Sequence, residues 1–166
     1  MRRQFCERMM AKVNEDEDFI SNLWMSDEAH FHLNGFVNKQ NFRYWAQRNP
    51  AQLHQRPLHS NKVTVWCAMS SYGVIGPYFF ENDDGLATTV TSMRYVAMLE
   101  TFVAHELRNF PQVIENTWFQ QDGATSHTAR ISMAAVRQLF GNRVISKNGD
   151  ISWPPRSLDL TVCDFF

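Results

Sequence analysis

Apolar and polar residues alternate along several short stretches of the chain, which is the period of a half-buried β-strand. In the first stretch, "LWMSDEAHFHL", one predicted strand face carries Leu23, Met25, Asp27, Ala29 and Phe31. Asp27 is the single carboxylate in that apolar row, whereas Glu28 points to the opposite face and is predicted to be solvated. A buried carboxylate needs a cation, a metal ion or several N–H donors, so Asp27 must have a partner.

The next patterned stretches predict a β-hairpin and then a helix. "VTVWCAM" (63–69) and "GPYFFE" (76–81) are separated by the turn sequence "SSYG", which is typical of paired antiparallel strands. Apolar residues then recur at three- and four-residue steps between Val96 and Phe110, which favours an amphipathic helix. Thr91 or Ser92 is predicted to cap its start.

A strand, a helix and a last short strand are predicted in the C-terminal third. "TWFQQD" favours a strand, and "TSHTARISMAAVRQLFG" a helix capped by Thr125 or Ser126 and ended by Gly141. "RVIS" predicts the last strand, and a helix is expected to start near Ser157. Strands alternating with helices in this order predict an α/β fold, in which helices pack on a mixed sheet.

Size and composition fit one globular domain. The chain has 166 residues, 44% of them hydrophobic and 13% aromatic, which is enough for one core. We expect a helical lead-in over 1–19 and a single domain over 20–166. Cys6, Cys67 and Cys163 lie far apart, which argues against a disulfide framework or a zinc site. No apolar run reaches the roughly 18 residues of a membrane helix, so no membrane partner is expected.

Charge is unevenly distributed although the net charge is only −1. No acid lies between Glu28 and Glu81, and the second basic segment, between Asp122 and Asp150, begins with Arg130. Two basic segments in a neutral chain favour local contact with a polyanion such as DNA, and solvated surfaces are the alternative. The candidate DNA-binding cations of the two segments are Lys39, Arg43, Arg48, Arg56 and Arg130.

Two acids stand out by position. Asp27 lies in the middle of one predicted strand, and Asp122 ends another strand just before a helix. If the two strands are neighbours, both carboxylates converge, and a divalent cation between them relieves their repulsion. The alternatives are a salt bridge for Asp27 and a helix-capping role for Asp122. A two-ion site for phosphodiester chemistry usually takes a third acid, with Asp150, Asp159 and Asp164 as candidates.

Four blocks, "WMSDEAHFHLNGFVNKQNFRYWA", "VWCAMSSYGVIGPYFFE", "WFQQDGATSHTA" and "WPPRSLDLTVCDFF", occur in order and together resemble the catalytic domain of mariner-like transposases. This resemblance implies a ribonuclease-H-like mixed sheet with flanking helices. It also implies a metal-dependent enzyme that cuts and joins DNA in transposition, in the nucleus, with DNA as partner and a homodimer as the family's assembly. Two Mg²⁺ or Mn²⁺ ions and no small-molecule cofactor are expected.

The resemblance assigns the catalytic and metal-binding triad to Asp27, Asp122 and Asp164. The 41 residues between the last two acids exceed the commonest mariner interval, which leaves the subfamily open. Asp164 is preferred to Asp159 because of the motif alone. His127, five residues after Asp122, is expected either to contact a DNA phosphate or to orient a carboxylate, with an ordinary position in the first helical turn as the alternative.

Three departures from the family pattern reduce the activity that we expect of this chain. From the given sequence, we expect the family's N-terminal helix-turn-helix region to be missing and the last helix to be cut short two residues after Asp164. Leu158 and Val162 stand where the family block usually has prolines. The chain is therefore expected to be inactive or weakly active, and a transposon-derived remnant with weak, non-specific DNA binding is the alternative function.

Overall fold

A computed structural model of the chain describes residues 1–33, 62–110 and 116–165, with only the backbone at Leu158, Asp164 and Phe165. Its helices are α1 (Arg2–Glu15), α2 (Ser92–Met98), α3 (Ala104–Glu106), α4 (Thr125–Thr128) and α5 (Arg130–Phe140). A π-helical segment, Leu99–Val103, joins α2 to α3, and 3₁₀ turns span Leu107–Asn109, Leu158–Leu160 and Val162–Phe165. The strands are β1 (Leu23–His32), β2 (Lys62–Ser70), β3 (Gly73–Phe79), β4 (Trp118–Gln120), β5 (Val144–Ser146) and β6 (Ile151–Ser152).

The described strands form one mixed sheet in the order β3-β2-β1-β4-β5-β6. The first three strands are antiparallel, and β4, β5 and β6 continue the sheet from β1 in parallel. Strands β1 and β4 are therefore direct neighbours, as the hypothesis of converging acids requires. The α/β fold class and the hairpin over 63–81 are confirmed.

Both faces of the sheet are covered, because strand side chains alternate between two cores. On one face, Trp24 and Phe119 pack with α2, the π-helical segment and α5. On the other face, Leu23 and Ile145 pack with α1 and with Trp153 near the C-terminus. Central strands buried on both faces match the apolar character of "TWFQQ" and "RVIS".

The predicted helix boundaries are partly correct. Thr91 caps α2 by accepting the backbone N–H of Arg94 at 3.3 Å, and Gly141 ends α5 with a φ of 61°. The single helix predicted over 125–140 is wrong, since Ala129 adopts an extended ψ of 147° and separates α4 from α5. Neither Thr125 nor Ser126 caps α4, whose N-cap position is Ala124.

Near the C-terminus, the sequence pattern missed β6 and predicted helix where the described backbone forms two 3₁₀ turns. β6 has two residues, too few to show an alternating pattern. Asp159 pairs with Arg2 of α1, at 3.0 Å between Nη1 and Oδ1. This contact ties one candidate for the third acid to the lead-in helix. No helix in the described ranges is long and apolar enough to cross a membrane.

Truncating Phe140 tests the core on the helical side of the sheet. Its ring stacks on Phe119 at 4.6 Å with only 5° between the planes, and its side chain is 2% exposed. Because a cavity adds to the lost burial, Phe140→Ala should lower the free energy of unfolding by about 3–5 kcal/mol in urea titrations. Ile131→Ala, on the exposed side of the same helix, should change it by less than about 0.5 kcal/mol. Equal losses in both variants would contradict the assigned core.

Candidate active site

Asp27 and Asp122 line the same cleft, of about 740 Å³, on the sheet face that carries α1. The register of β1 and β4 pairs Met25 with Gln120. Continued by two residues, this register brings Asp27 level with Asp122, on strands that lie about 4.8 Å apart. The two strands are neighbours and both acids line one cleft, as the hypothesis of converging acids requires.

Asp122 is held at one oxygen. Its Oδ1 accepts the backbone N–H of Ala124 at 2.9 Å and lies 2.6 Å from Nδ1 of His127. The capping alternative is therefore realised in part, because the carboxylate does bind the start of α4. Both of these bonds end on Oδ1, so within the described part of the chain they leave Oδ2 open to a ligand in the cleft.

Glu28 is not solvated as predicted, which corrects the sequence analysis. Its side chain is only 13% exposed, and its Oε1 lies 2.9 Å from Nε2 of His127. Glu28 does point to the face opposite Asp27, as the alternation requires, but α4 covers that face and brings the histidine onto it. Alternation gives the direction of a side chain and not what packs against it.

His127 thus bridges two carboxylates, with its side chain 4% exposed. Burial lowers its pKa, but hydrogen bonds and charge attraction from Asp122 and Glu28 outweigh burial and raise the pKa of His127 to about 10. Burial by itself would raise the pKa of Asp122. The His127 imidazolium and the Ala124 N–H together outweigh burial, so the pKa of Asp122 is lowered. The bridge is therefore an imidazolium between two carboxylates at neutral pH. This geometry agrees with the carboxylate-orienting alternative for His127, whose ring nitrogens are both engaged.

A buried polar network supports this bridge and was missed by sequence reasoning. The Tyr95 hydroxyl donates to Oε1 of Gln121 at 2.7 Å, and Gln121 Nε2 donates to the His127 carbonyl at 3.1 Å. The Tyr95 ring lies 4.3 Å from the His127 ring, and burial raises the pKa of Tyr95 well above its usual value. The available signal was the polar pair "QQ" at the end of an apolar strand.

The 3₁₀ turn Val162–Phe165 packs beside Asp27. Cys163 Sγ donates to the Met25 carbonyl at 3.3 Å, and Cys67, which lies opposite Asp27 in the β1–β2 register, hydrogen-bonds Cys163. The backbone of Asp164 therefore lies near the first acid, while its side chain is outside the described residues.

The candidate DNA-binding residues fall in different places. Lys39, Arg43, Arg48 and Arg56 lie outside the described residues. Arg130 is exposed at the start of α5. Sequence reasoning did not single out two cations that line the cleft itself, Lys147 and Arg156. Lys147 packs over Gly123: a Cβ added to Gly123 would lie 3.6 Å from the Cβ of Lys147.

The site fits a divalent cation in its donor chemistry. Among the residues whose side chains are described, no group of three His, Cys, Asp or Glu residues is placed to hold a metal ion. Mg²⁺, however, is commonly held by one or two carboxylates plus substrate phosphates, and it keeps several waters. Asp27 and Asp122 supply two carboxylates. Gln120 lines the same cleft, and its buried side-chain amide has no hydrogen-bond partner in the described part of the chain, which suits a hydrated ligand.

The raised pKa of His127 predicts a pH-dependent stability. A group with a folded pKa above its unfolded value stabilises fully below the unfolded value, and this stabilisation is lost as pH rises through the folded pKa. Without metal, the natural chain should have a higher free energy of unfolding than His127→Gln at pH 6.5. This difference should shrink by roughly a few kcal/mol as the pH rises to about 10. Urea titrations at several pH values measure it. A pH-independent difference for His127→Gln would refute the bridge.

Comparison with solved structures shows which fold this is. The chain superposes on the Mos1 mariner paired-end complex with Mn with a TM-score of 0.69 and 24% identity, covering 99% of this chain and 45% of that one. For the Mos1 transposase paired-end complex with left transposon end, the TM-score is 0.68 and the identity 23%, over 99% of this chain and 44% of that one. For the catalytic domain of Mos1 mariner transposase, the TM-score is 0.64 and the identity 20%, over 99% of this chain and 64% of that one.

The sequence comparisons add no closer relative. No protein-family model and no curated protein sequence matches the chain. This chain spans less than half the length of the transposase chains in the two paired-end complexes. The structural likeness extends over nearly the whole chain at low identity, and it is a likeness of fold. The chain therefore has the ribonuclease-H-like fold of the Mos1 mariner transposase catalytic domain.

Proposed function

We propose that this chain is the catalytic domain of a mariner-like transposase, which cleaves and joins DNA phosphodiester bonds with the help of divalent cations. The observation that carries the proposal is the pairing of β1 with β4, which places Asp27 and Asp122 in one cleft. The shared fold with the Mos1 catalytic domain supports it, and so do the four sequence blocks that resemble the family.

Asp27 and Asp122 would hold Mg²⁺ or Mn²⁺, with Asp164 as the third acid of the family pattern. A divalent cation bound there would supply charge stabilisation for the phosphate and would lower the pKa of a hydroxyl nucleophile. His127 restrains Asp122 through Oδ1, and Glu28 holds the other nitrogen of the ring. These contacts keep the Asp122 carboxylate in one orientation, which a preorganised site requires.

DNA is the proposed substrate, with a second copy of the chain as the proposed partner and the nucleus as the proposed compartment. Solved Mos1 structures named as paired-end complexes, with a left transposon end in one case and with Mn or Mg in others, support DNA and divalent cations. Within this chain, Lys147 and Arg156 line the cleft of the acids. Cations there would neutralise phosphate oxygens of the bound strand.

Removal of either acid tests the reaction. Asp27→Asn and Asp122→Asn should each lower Mg²⁺- or Mn²⁺-dependent nicking of supercoiled DNA by more than about 100-fold, since loss of even an outer-shell partner costs about 10–100-fold. Gel assays with and without EDTA measure this. Asp83→Asn, at an exposed loop acid, is the matched control and should leave nicking unchanged.

Nicking that persists at full rate in both acid variants would reject the assigned site. If the natural chain binds DNA without nicking it under any divalent cation, the alternative of a non-catalytic, DNA-binding remnant replaces the enzyme.

Neutralising the cleft cations tests the DNA contact. The double variant Lys147→Gln/Arg156→Gln should weaken binding to duplexes of unrelated sequence alike, and should reduce the slope of log affinity against log salt by about 1–2. Fluorescence anisotropy at several salt concentrations measures both. Arg108→Gln removes an exposed cation from the helical side of the sheet and should change neither. An unchanged slope in the double variant would exclude phosphate contacts by these two residues.

A further inference from the structure

Two adjacent buried glutamines of the site have opposite hydrogen-bonding states. Gln121, 0% exposed, bonds Tyr95, the His127 carbonyl and, through Nε2 at 3.1 Å, Ser146 Oγ. Gln120 is 1% exposed, and among the described residues neither its Nε2 nor its Oε1 has a hydrogen-bond partner. Buried amides are almost always paired, so an amide with both ends unpaired calls for a ligand.

The position of Gln120 relates it to the two acids. Its side chain is on the same sheet face as those of Met25 and Asp27, because Met25 is its partner in the parallel register. Asp27 and Asp122 each follow this pair by two residues, or about 6.6 Å along the strand. Gln120 lines the cleft that both acids line. Gln120 therefore belongs to the floor of the candidate active site, with its amide covered in this structure.

Packing alone does not explain a glutamine here. The paired neighbours of Gln120 are Met25 on β1 and Ile145 on β5, both of them apolar. Burying an amide without partners costs roughly 1–3 kcal/mol, and an apolar residue of the same shape avoids that cost. The chain tolerates a polar group that the fold does not use.

The chemistry of the amide selects the ligand. A bare cation would satisfy only Oε1, and a phosphate oxygen would satisfy only Nε2, because the amide presents an acceptor and a donor side by side. Water both donates and accepts. Mg²⁺ retains several waters when carboxylates bind it, so a hydrated divalent cation brings such waters to this place in the cleft.

We propose that Gln120 is a positioning residue for the hydration shell of the divalent cation held at Asp27 and Asp122, with Oε1 accepting and Nε2 donating hydrogen bonds to its waters. This inference rests on the proposed function, because it needs the cation site. It assigns a role to a residue outside the acidic triad, and that role is exerted through water and not by direct ligation.

Metal-free stability separates a ligand-binding amide from a structural one. Gln120→Met replaces the amide by an apolar side chain of similar shape, and metal-free protein should melt no lower than the natural chain. Gln121→Met is the matched control on the next residue. It should melt several degrees lower, because it leaves Tyr95 and Ser146 without their partner. If Gln120→Met melts as low as Gln121→Met, Gln120 is structural and the inference is overturned.

Metal affinity then tests the role itself. In calorimetric titrations of the full chain with Mn²⁺, Gln120→Met should weaken binding by roughly 10–100-fold, the usual effect of losing an outer-shell partner. Gln120→Glu keeps an acceptor in place and should bind Mn²⁺ at least as tightly as the natural chain. Weakened binding in Gln120→Glu equal to that in Gln120→Met would overturn the inference.

The two hypotheses fail in different ways. In one outcome, the natural chain binds Mn²⁺, Asp27→Asn and Asp122→Asn lose that binding, and Gln120→Met retains it in full. The cation site then stands, and the role of Gln120 is refuted. If the natural chain does not bind Mn²⁺, or if the acid variants bind as well as it does, the cation site itself is refuted, and the role of Gln120 with it.

Discussion

The candidate site depends on one pairing, that of β1 with β4. It joins segments separated by more than 80 residues and sets Met25 beside Gln120. Ser26 Oγ donates to the Gln120 carbonyl at 2.8 Å, a buried bond across the two strands. A slip of one residue would move every β1 side chain to the opposite face, with Asp27 on the helical side and Glu28 in the cleft. Trp24 and Leu23 would exchange cores in the same slip, so burial on both faces enforces the register.

The two faces of the sheet contribute different parts of the site. The face toward α1 carries Asp27, Gln120 and the cleft, which is open to a ligand. The face toward α4 carries the buried Gln121 and the partly buried Glu28, both of which contact His127. Asp122 ends its strand where the chain turns into α4, so its carboxylate meets the histidine through Oδ1 and still lines the cleft. A buried imidazolium between two carboxylates therefore restrains an acid that must remain accessible.

Much of the fold could be predicted from local pattern. The hairpin, the strands at "TWFQQD" and "RVIS", and the start of a helix at Thr91 follow from alternation, spacing and capping. The break at Ala129 and the two-residue strand β6 could not be predicted, because neither contains enough residues to show a period. In the site, the positions of Asp27 and Asp122 were predictable. The partner of Glu28 and the role of Gln121 were not, since both depend on which helix packs over the sheet.

By itself, the sequence determined which residues share a strand face, that an acid interrupts an apolar row at Asp27, and that another acid, Asp122, lies between a strand and a helix. These are consequences of backbone geometry within a few residues. Only the tertiary structure decided that the two strands are neighbours, that His127 bridges Glu28 and Asp122, and that Gln121 is paired while Gln120 is not. Those facts depend on contacts between remote segments, which the pattern of one segment does not contain.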